Sequence, residues 1–149
     1  MKIKDLATLA GGCFWCTEAV FQRLEGITKV TPGYTGGNIP NPTYEAVTTG
    51  ETGHAEAIQI EFDPDKTSFT ELLRVFFATH DPTTLNRQGS DLGTQYRSEI
   101  FYHDRSQKEE SEKFIEGLES SHFYPDPIIT KISKFKEFYP AEDYHLNYY

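Results

Sequence analysis

Hydrophobic and polar positions recur at clear intervals in a few stretches of this chain, and those stretches define its elements. Residues 54 to 62, HAEAIQIEF, alternate as a half-buried strand does, with Ile58, Ile60 and Phe62 on one face. Strict period two puts Glu56 on that same face. Residues 68 to 78, SFTELLRVFFA, carry the strongest helical period. Phe69, Leu72, Leu73, Phe76 and Phe77 make one apolar stripe there, and Ser68 with Glu71 makes a capping box. Asp5 to Ala10 reads as a short strand running into a Gly11-Gly12 turn. A helix is predicted from about Cys13 to Glu25, closed by Gly26, with Cys13, Cys16, Val20 and Leu24 on one stripe. Ser98 to Tyr102 reads as a strand. Asp104 to about Ser120 reads as a helix, mostly solvated until Phe114, Ile115 and Leu118. Ile128 to Ser133 is a further candidate strand before an irregular, Tyr-rich tail.

The stretches between are aperiodic. Thr31 to Gly53 holds five glycines and three prolines and reads as a long loop, as does His80 to about Arg97. Loops beyond ~12–15 residues are uncommon in compact domains unless they are functional. Strands and helices that interleave without hairpin spacing suggest an α+β two-layer sandwich. A length of 149 residues suits one domain, spanning 1–149.

Charge narrows the partners. With 23 acidic against 14 basic side chains and a net charge of −9, the surface repels phosphate backbones and anionic lipid. No stretch approaches the ~20 apolar residues of a membrane span. The first ten residues, MKIKDLATLA, are too short and polar for a secretory signal, so a cytoplasmic location is expected.

Both cysteines of the chain lie in GGCFWC, residues 11 to 16. A thiolate is the nucleophilic form of cysteine, and the unpaired N–H groups and positive dipole end of a helix N-terminus stabilise it. Cys13 is therefore the candidate nucleophile, with Cys16 one turn on. Helical positions i and i+3 hold their Cβ atoms ~5–6 Å apart, more than the ~3.5–4.5 Å of a disulfide. Bridging the pair needs a local unwinding, and a strained, exposed disulfide of that kind is readily reduced. Two structural cysteines, half of a zinc site and a thioredoxin-like dithiol are the competing readings. Phe14 and Trp15 make a bulky apolar rim that disulfide exchange does not require, and that would suit an apolar substrate group beside the sulfur.

Glu56, on the inward face of its strand, is a candidate general acid, because desolvation favours the neutral carboxyl. Tyr44 and Tyr96 lie in the two aperiodic loops, where a phenol could offer a hydrogen bond into a site. Spacing alone does not rank them above Tyr34 or Tyr102. His54 reads as a surface or packing histidine.

GGCFWC, YTGGNIPNPTYEAV, TGHAEAIQIEFDP, SDLGTQYRS and AEDYH, in that order, make the chain resemble the peptide methionine sulfoxide reductases of the A type from about Leu9 to its end. The resemblance implies an α+β sandwich with a ferredoxin-like core and one catalytic domain. It implies that Cys13 attacks the sulfur of an S-epimer methionine sulfoxide, free or in an oxidised protein or peptide. Glu56 would protonate the departing oxygen while Tyr44 and Tyr96 hydrogen-bond to it. Phe14 and Trp15 would hold the S-methyl group, and Asp91 would help to position the substrate. Many members lack a cysteine at the Cys16 position and use one in a C-terminal tail, which this sequence does not show. Cys16 is then expected to resolve a Cys13 sulfenic acid as a Cys13–Cys16 disulfide, recycled by a thioredoxin, with no cofactor or metal. A thioredoxin-like disulfide oxidoreductase is the rival enzyme; a module that binds Met-containing segments without chemistry is the non-enzymatic alternative.

Overall fold

The computed structural model describes residues 5–12, 14–37, 39–49, 52–88 and 91–141. Its elements run β1 (Asp5–Gly11), α1 (Phe14–Phe21), β2 (Ile27–Thr35), α2 (Tyr44–Thr48), β3 (Ala55–Phe62), α3 (Phe69–Thr79), β4 (Arg87–Gln88), β5 (Asp91–Leu92), a 3₁₀ turn (Thr94–Tyr96), β6 (Ser98–Tyr102), α4 (Arg105–Ser120), β7 (Lys131–Lys134) and β8 (Phe138–Pro140).

Six strands form one sheet in the order β7-β6-β1-β3-β2-β8, and β4 with β5 forms a small separate ribbon. The central order β6-β1-β3-β2 follows from two interleaved strand-helix-strand units, β1-α1-β2 and β3-α3-β6. That is the split βαβ arrangement of a ferredoxin-like core, and the chain is an α+β protein as the sequence predicts. β1 is antiparallel to both its neighbours, whereas β7 joins β6 in parallel after the α4 crossover.

The main core lies on one face of this sheet. Leu9, Ile58, Ile60 and Ile100 from the strands meet Phe14 and Phe21 of α1 and Leu72, Leu73 and Phe76 of α3, with Phe114, Ile115 and Leu118 of α4 half-buried against them. The other face carries a smaller cluster of Ala10, Ala55, Ala57 and Phe101, covered by Phe135 and Phe138. α3 and α4 begin where a side chain caps them. Ser68 accepts the Glu71 N–H ahead of α3, and Asp104 accepts the Gln107 N–H ahead of α4. Glu71 does not complete the expected capping box, because its carboxylate pairs with Arg74 instead.

Several expectations are corrected. β2 and α2 occupy most of the stretch read as one long loop, because Pro32 and Gly33 mask a strand. Pro32 stands just beyond the β2–β8 ladder, which joins only Gly33–Thr35 to β8, and its carbonyl accepts the Ala141 N–H. A side chain at Gly33 would collide with the Tyr139 backbone, so glycine is what lets β8 lie that close. The second long loop contains β4, β5 and the 3₁₀ turn. α1 ends at Phe21, four residues short of Glu25, and its last turn tightens into bonds from Arg23 to Val20 and Leu24 to Phe21. Gly26, with φ of 88°, makes the turn into β2. The buried stripe of α1 is Phe14, Thr17, Glu18 and Phe21, and Cys16 faces outward from it. The last expected strand begins at Lys131 rather than Ile128, and the tail adds β8.

Candidate active site

β1 delivers the chain to its chemistry through two glycines. Gly11 still pairs with Ser98, and a Cβ there would lie 2.8 Å from the Phe76 ring and 3.0 Å from His80, so α3 packs directly on the strand end. Gly12 then turns with φ of 91°, against the side chain of Gln88. Cys13 comes next in sequence and lies outside the described residues. Phe14 opens α1, and its backbone N–H donates to Glu56 Oε1 at 3.2 Å. The first turn of the helix and the β3 carboxyl thus meet directly.

Glu56 is 1% exposed, on the inward face that the alternation assigns to it. Tyr34 stands directly opposite it on β2, and directly opposed residues share a face of the sheet. Around this pair the aromatic rings close in. The Phe14 ring centroid lies 5.6 Å from that of Tyr34 and 6.3 Å from that of Tyr44, and Trp15 stacks on Tyr44 at 5.8 Å. Phe14 and Tyr34 are fully buried, whereas Trp15 and Tyr44 are half-buried. Phe14 is therefore sealed beneath the cluster and not part of a rim; Trp15 and Tyr44 are the rings that reach the surface.

The remaining candidates arrive from loops. Tyr44 is the first residue of α2, whose N-cap Thr43 accepts the Ala46 N–H, so it sits on a short helix and not in an unstructured loop. Tyr96 ends the 3₁₀ turn, half-buried, and that turn packs on β3. Asp91 lies on β5, two residues before Gly93. Cys16 is an exposed free thiol. Phe14, Trp15, Tyr44 and Glu56 form one contiguous cluster; Cys16 stands outside its buried part.

Two neighbours of the site escaped the sequence reading. Tyr34 was hidden because its strand read as loop; the alternation of Val30, Pro32 and Tyr34 is the signal that places it. Buried Gln95 precedes Tyr96, and its amide donates to the Thr48 carbonyl at 3.2 Å. No local pattern announces that bond, since it spans 47 residues. His54 fulfils its packing assignment. Its Nδ1 accepts the Gly37 N–H at 3.0 Å and its Nε2 lies 2.7 Å from the Ile39 carbonyl, which ties down the segment between β2 and α2.

Behind the Gly11 strand end, His80 is held neutral. Its Nδ1 donates to the Phe76 carbonyl at 2.6 Å, and its Nε2 lies 2.7 Å from Ser98 Oγ, which in turn contacts Thr130 Oγ1 at 2.8 Å. Burial lowers its pKa to about 4.

Comparisons with known proteins place the chain in a family. The family described as peptide methionine sulfoxide reductase matches residues 5–149. The chain is 59% identical over 146 residues to peptide methionine sulfoxide reductase MsrA 1 of Rhodopirellula baltica, covering 98% of this chain and 75% of that protein. Among solved structures, Mxr1 from Saccharomyces cerevisiae in reduced form superposes with a TM-score of 0.90 at 38% identity, over 97% of this chain and 83% of that one. The same yeast protein in complex with Trx2 matches with a TM-score of 0.68 at 27% identity, over 98% and 85% of the two chains. With a family match over nearly its whole length, and a fold shared with members solved by crystallography, this chain belongs to the peptide methionine sulfoxide reductase family.

Proposed function

We propose that the chain reduces the S epimer of methionine sulfoxide, free or within oxidised proteins, with Cys13 as nucleophile and Glu56 as proton donor. The observation that carries this reading is the bond from the Phe14 N–H to Glu56: the residue after Cys13 is tied to a carboxyl that is 1% exposed. Burial disfavours the charged form of a carboxyl, and a helix N-terminus favours an anionic sulfur. Those are the two states that the reaction needs together.

The Cys13 thiolate bonds to the sulfoxide sulfur as Glu56 delivers a proton to the oxygen, which leaves as water once it has taken a second proton. Water then adds to the Cys13 sulfur and the S–S bond breaks, its electron pair passing to the methionine sulfur, so that methionine departs and Cys13 is left as a sulfenic acid. Tyr44 and Tyr96 hydrogen-bond to the sulfoxide oxygen as its negative charge grows. Trp15, backed by Phe14, receives the S-methyl group, and Asp91 holds the polar side of the substrate. The Cys16 thiol then attacks the Cys13 sulfur, forming a Cys13–Cys16 disulfide and releasing the oxygen as water.

A dithiol protein of the thioredoxin kind returns two electrons and two protons to the cysteines, a partner class supported by the yeast relative solved with Trx2. A reducing compartment such as the cytoplasm would supply that partner. Among the described residues no helix is long and apolar enough to cross a membrane.

Reduced protein mixed with excess methionine sulfoxide and no reductant tests the scheme. One methionine released and two thiols lost per chain is the expected count. A single thiol lost would remove Cys16 from the cycle, and no methionine would end the reading.

A further inference from the structure

The two phenols assigned to the sulfoxide oxygen come from different elements. Tyr44 opens α2, a helix of five residues, and Tyr96 ends the 3₁₀ turn. A helix so short does not hold its shape alone, and its own residues satisfy the Glu45, Ala46 and Val47 carbonyls but not that of Thr48. Thr43 satisfies its first turn. At the other end Gln95, the residue before Tyr96, donates its Nε2 to the Thr48 carbonyl at 3.2 Å.

One side chain therefore joins the helix that carries Tyr44 to the turn that carries Tyr96. It is deeply set: Gln95 is 4% exposed, and a Cβ at Gly93 would lie 2.8 Å from its Cδ, so the amide occupies space that only a glycine leaves open. Its Oε1 has no hydrogen-bond partner among the described residues. A buried acceptor left so is a stability cost that natural chains tolerate chiefly at functional sites. The turn has a separate anchor to the sheet. Arg97 donates to the Thr94 carbonyl at 2.9 Å and to Glu99 at 2.7 Å, and Ser133 also donates to Glu99. Arg97 thus fixes the turn to β6, while Gln95 fixes α2 to the turn.

We propose that Gln95 is a positioning residue that sets the distance between the Tyr44 and Tyr96 hydroxyls, so that both reach one sulfoxide oxygen. The inference rests on the assignment of those phenols to the oxygen. Releasing α2 would leave the fold standing and let the phenols drift apart, and misplacements on the order of 1 Å cost up to ~100-fold in rate.

The test is a set of turnover measurements on methionine sulfoxide, with melting temperatures recorded for every variant. Gln95→Met keeps the side-chain volume and removes the donor. It is expected to lower kcat/KM about tenfold, mostly through kcat, with methionine binding by Trp15 retained in KM. In a Tyr44→Phe background the same change is expected to cost less than about twofold, because no second hydroxyl is left to misplace. A tenfold loss in both backgrounds, or none in the parent, overturns the positioning role. If Tyr44→Phe and Tyr96→Phe each keep parental kcat/KM, the assignment of the phenols fails instead, whatever Gln95→Met does. Should Gln95→Met fail to fold, Gln95→Asn, whose amide falls one methylene short of Thr48, is held to the same outcomes.

Discussion

Glu56 accepts the Phe14 N–H and is buried on the inward face of β3, so a change of its chemistry without a change of its shape isolates its role. Glu56→Gln retains an oxygen for the Phe14 N–H and loses the acidic proton. Turnover is expected to fall by ~10²–10⁴-fold, the usual contribution of a positioned acid, with the melting temperature little moved. A steady-state assay with thioredoxin reads the loss; parental turnover would remove Glu56 from proton delivery. Cys16 calls for a different measurement because it is exposed and outside the enclosed cluster. Cys16→Ser should still release one methionine per chain in a single turnover but stop cycling with thioredoxin. Parental cycling would show that the second cysteine is dispensable.

At the scale of elements, the close approach of β8 to β2 at Gly33 makes a sharp prediction. Gly33→Val would drive side-chain atoms into the Tyr139 backbone and the Phe138 ring. β8 must then lift from β2, and a loss of ~1–3 kcal/mol is expected, typical of overpacking, read by denaturant unfolding. Ser68→Ala should cost about 1 kcal/mol through the lost α3 cap and leave turnover unchanged. The legible elements were those whose side chains alone decide them. β3 and α3 announced themselves by strict periods, and α4 by its late apolar face. β2 was not legible, because Pro32 is admitted only by the end of the β8 ladder and Gly33 only by the crossing of Tyr139, both contacts more than 100 residues away. The site divides the same way. Glu56 could be placed from period two, and GGCFWC from two glycines ahead of a helix. Tyr34 follows a local alternation that Pro32 and Gly33 obscure, whereas Gln95 depends on one amide bond across 47 residues, which no window of sequence contains.

Over the whole molecule, His80 links stability to pH. The folded protein keeps it neutral down to about pH 4, whereas the unfolded chain protonates at about 6.5. Between those values the unfolded state binds the extra proton, so stability falls as pH falls through this window, by about 3 kcal/mol at its lower end. Urea midpoints measured from pH 7 to pH 4 should show the fall, and His80→Gln, which has no titrating group there, should flatten it. A parent and variant with parallel profiles would rule out His80 as the cause. The single methionine of the chain is Met1, so the described residues offer an oxidant no thioether to damage.

The outward placement of Cys16 on a helix whose first residue is sealed has a consequence for traffic through the molecule. Position 14 is fully buried and position 16 is exposed, two residues apart along α1. A docking reductant can reach a sulfur on the outside without any aromatic wall parting to admit it. In the cycle proposed above, recharging through Cys16 then uses a different door from the enclosed cluster, so a bulky oxidised protein still leaving would not delay the next delivery of electrons.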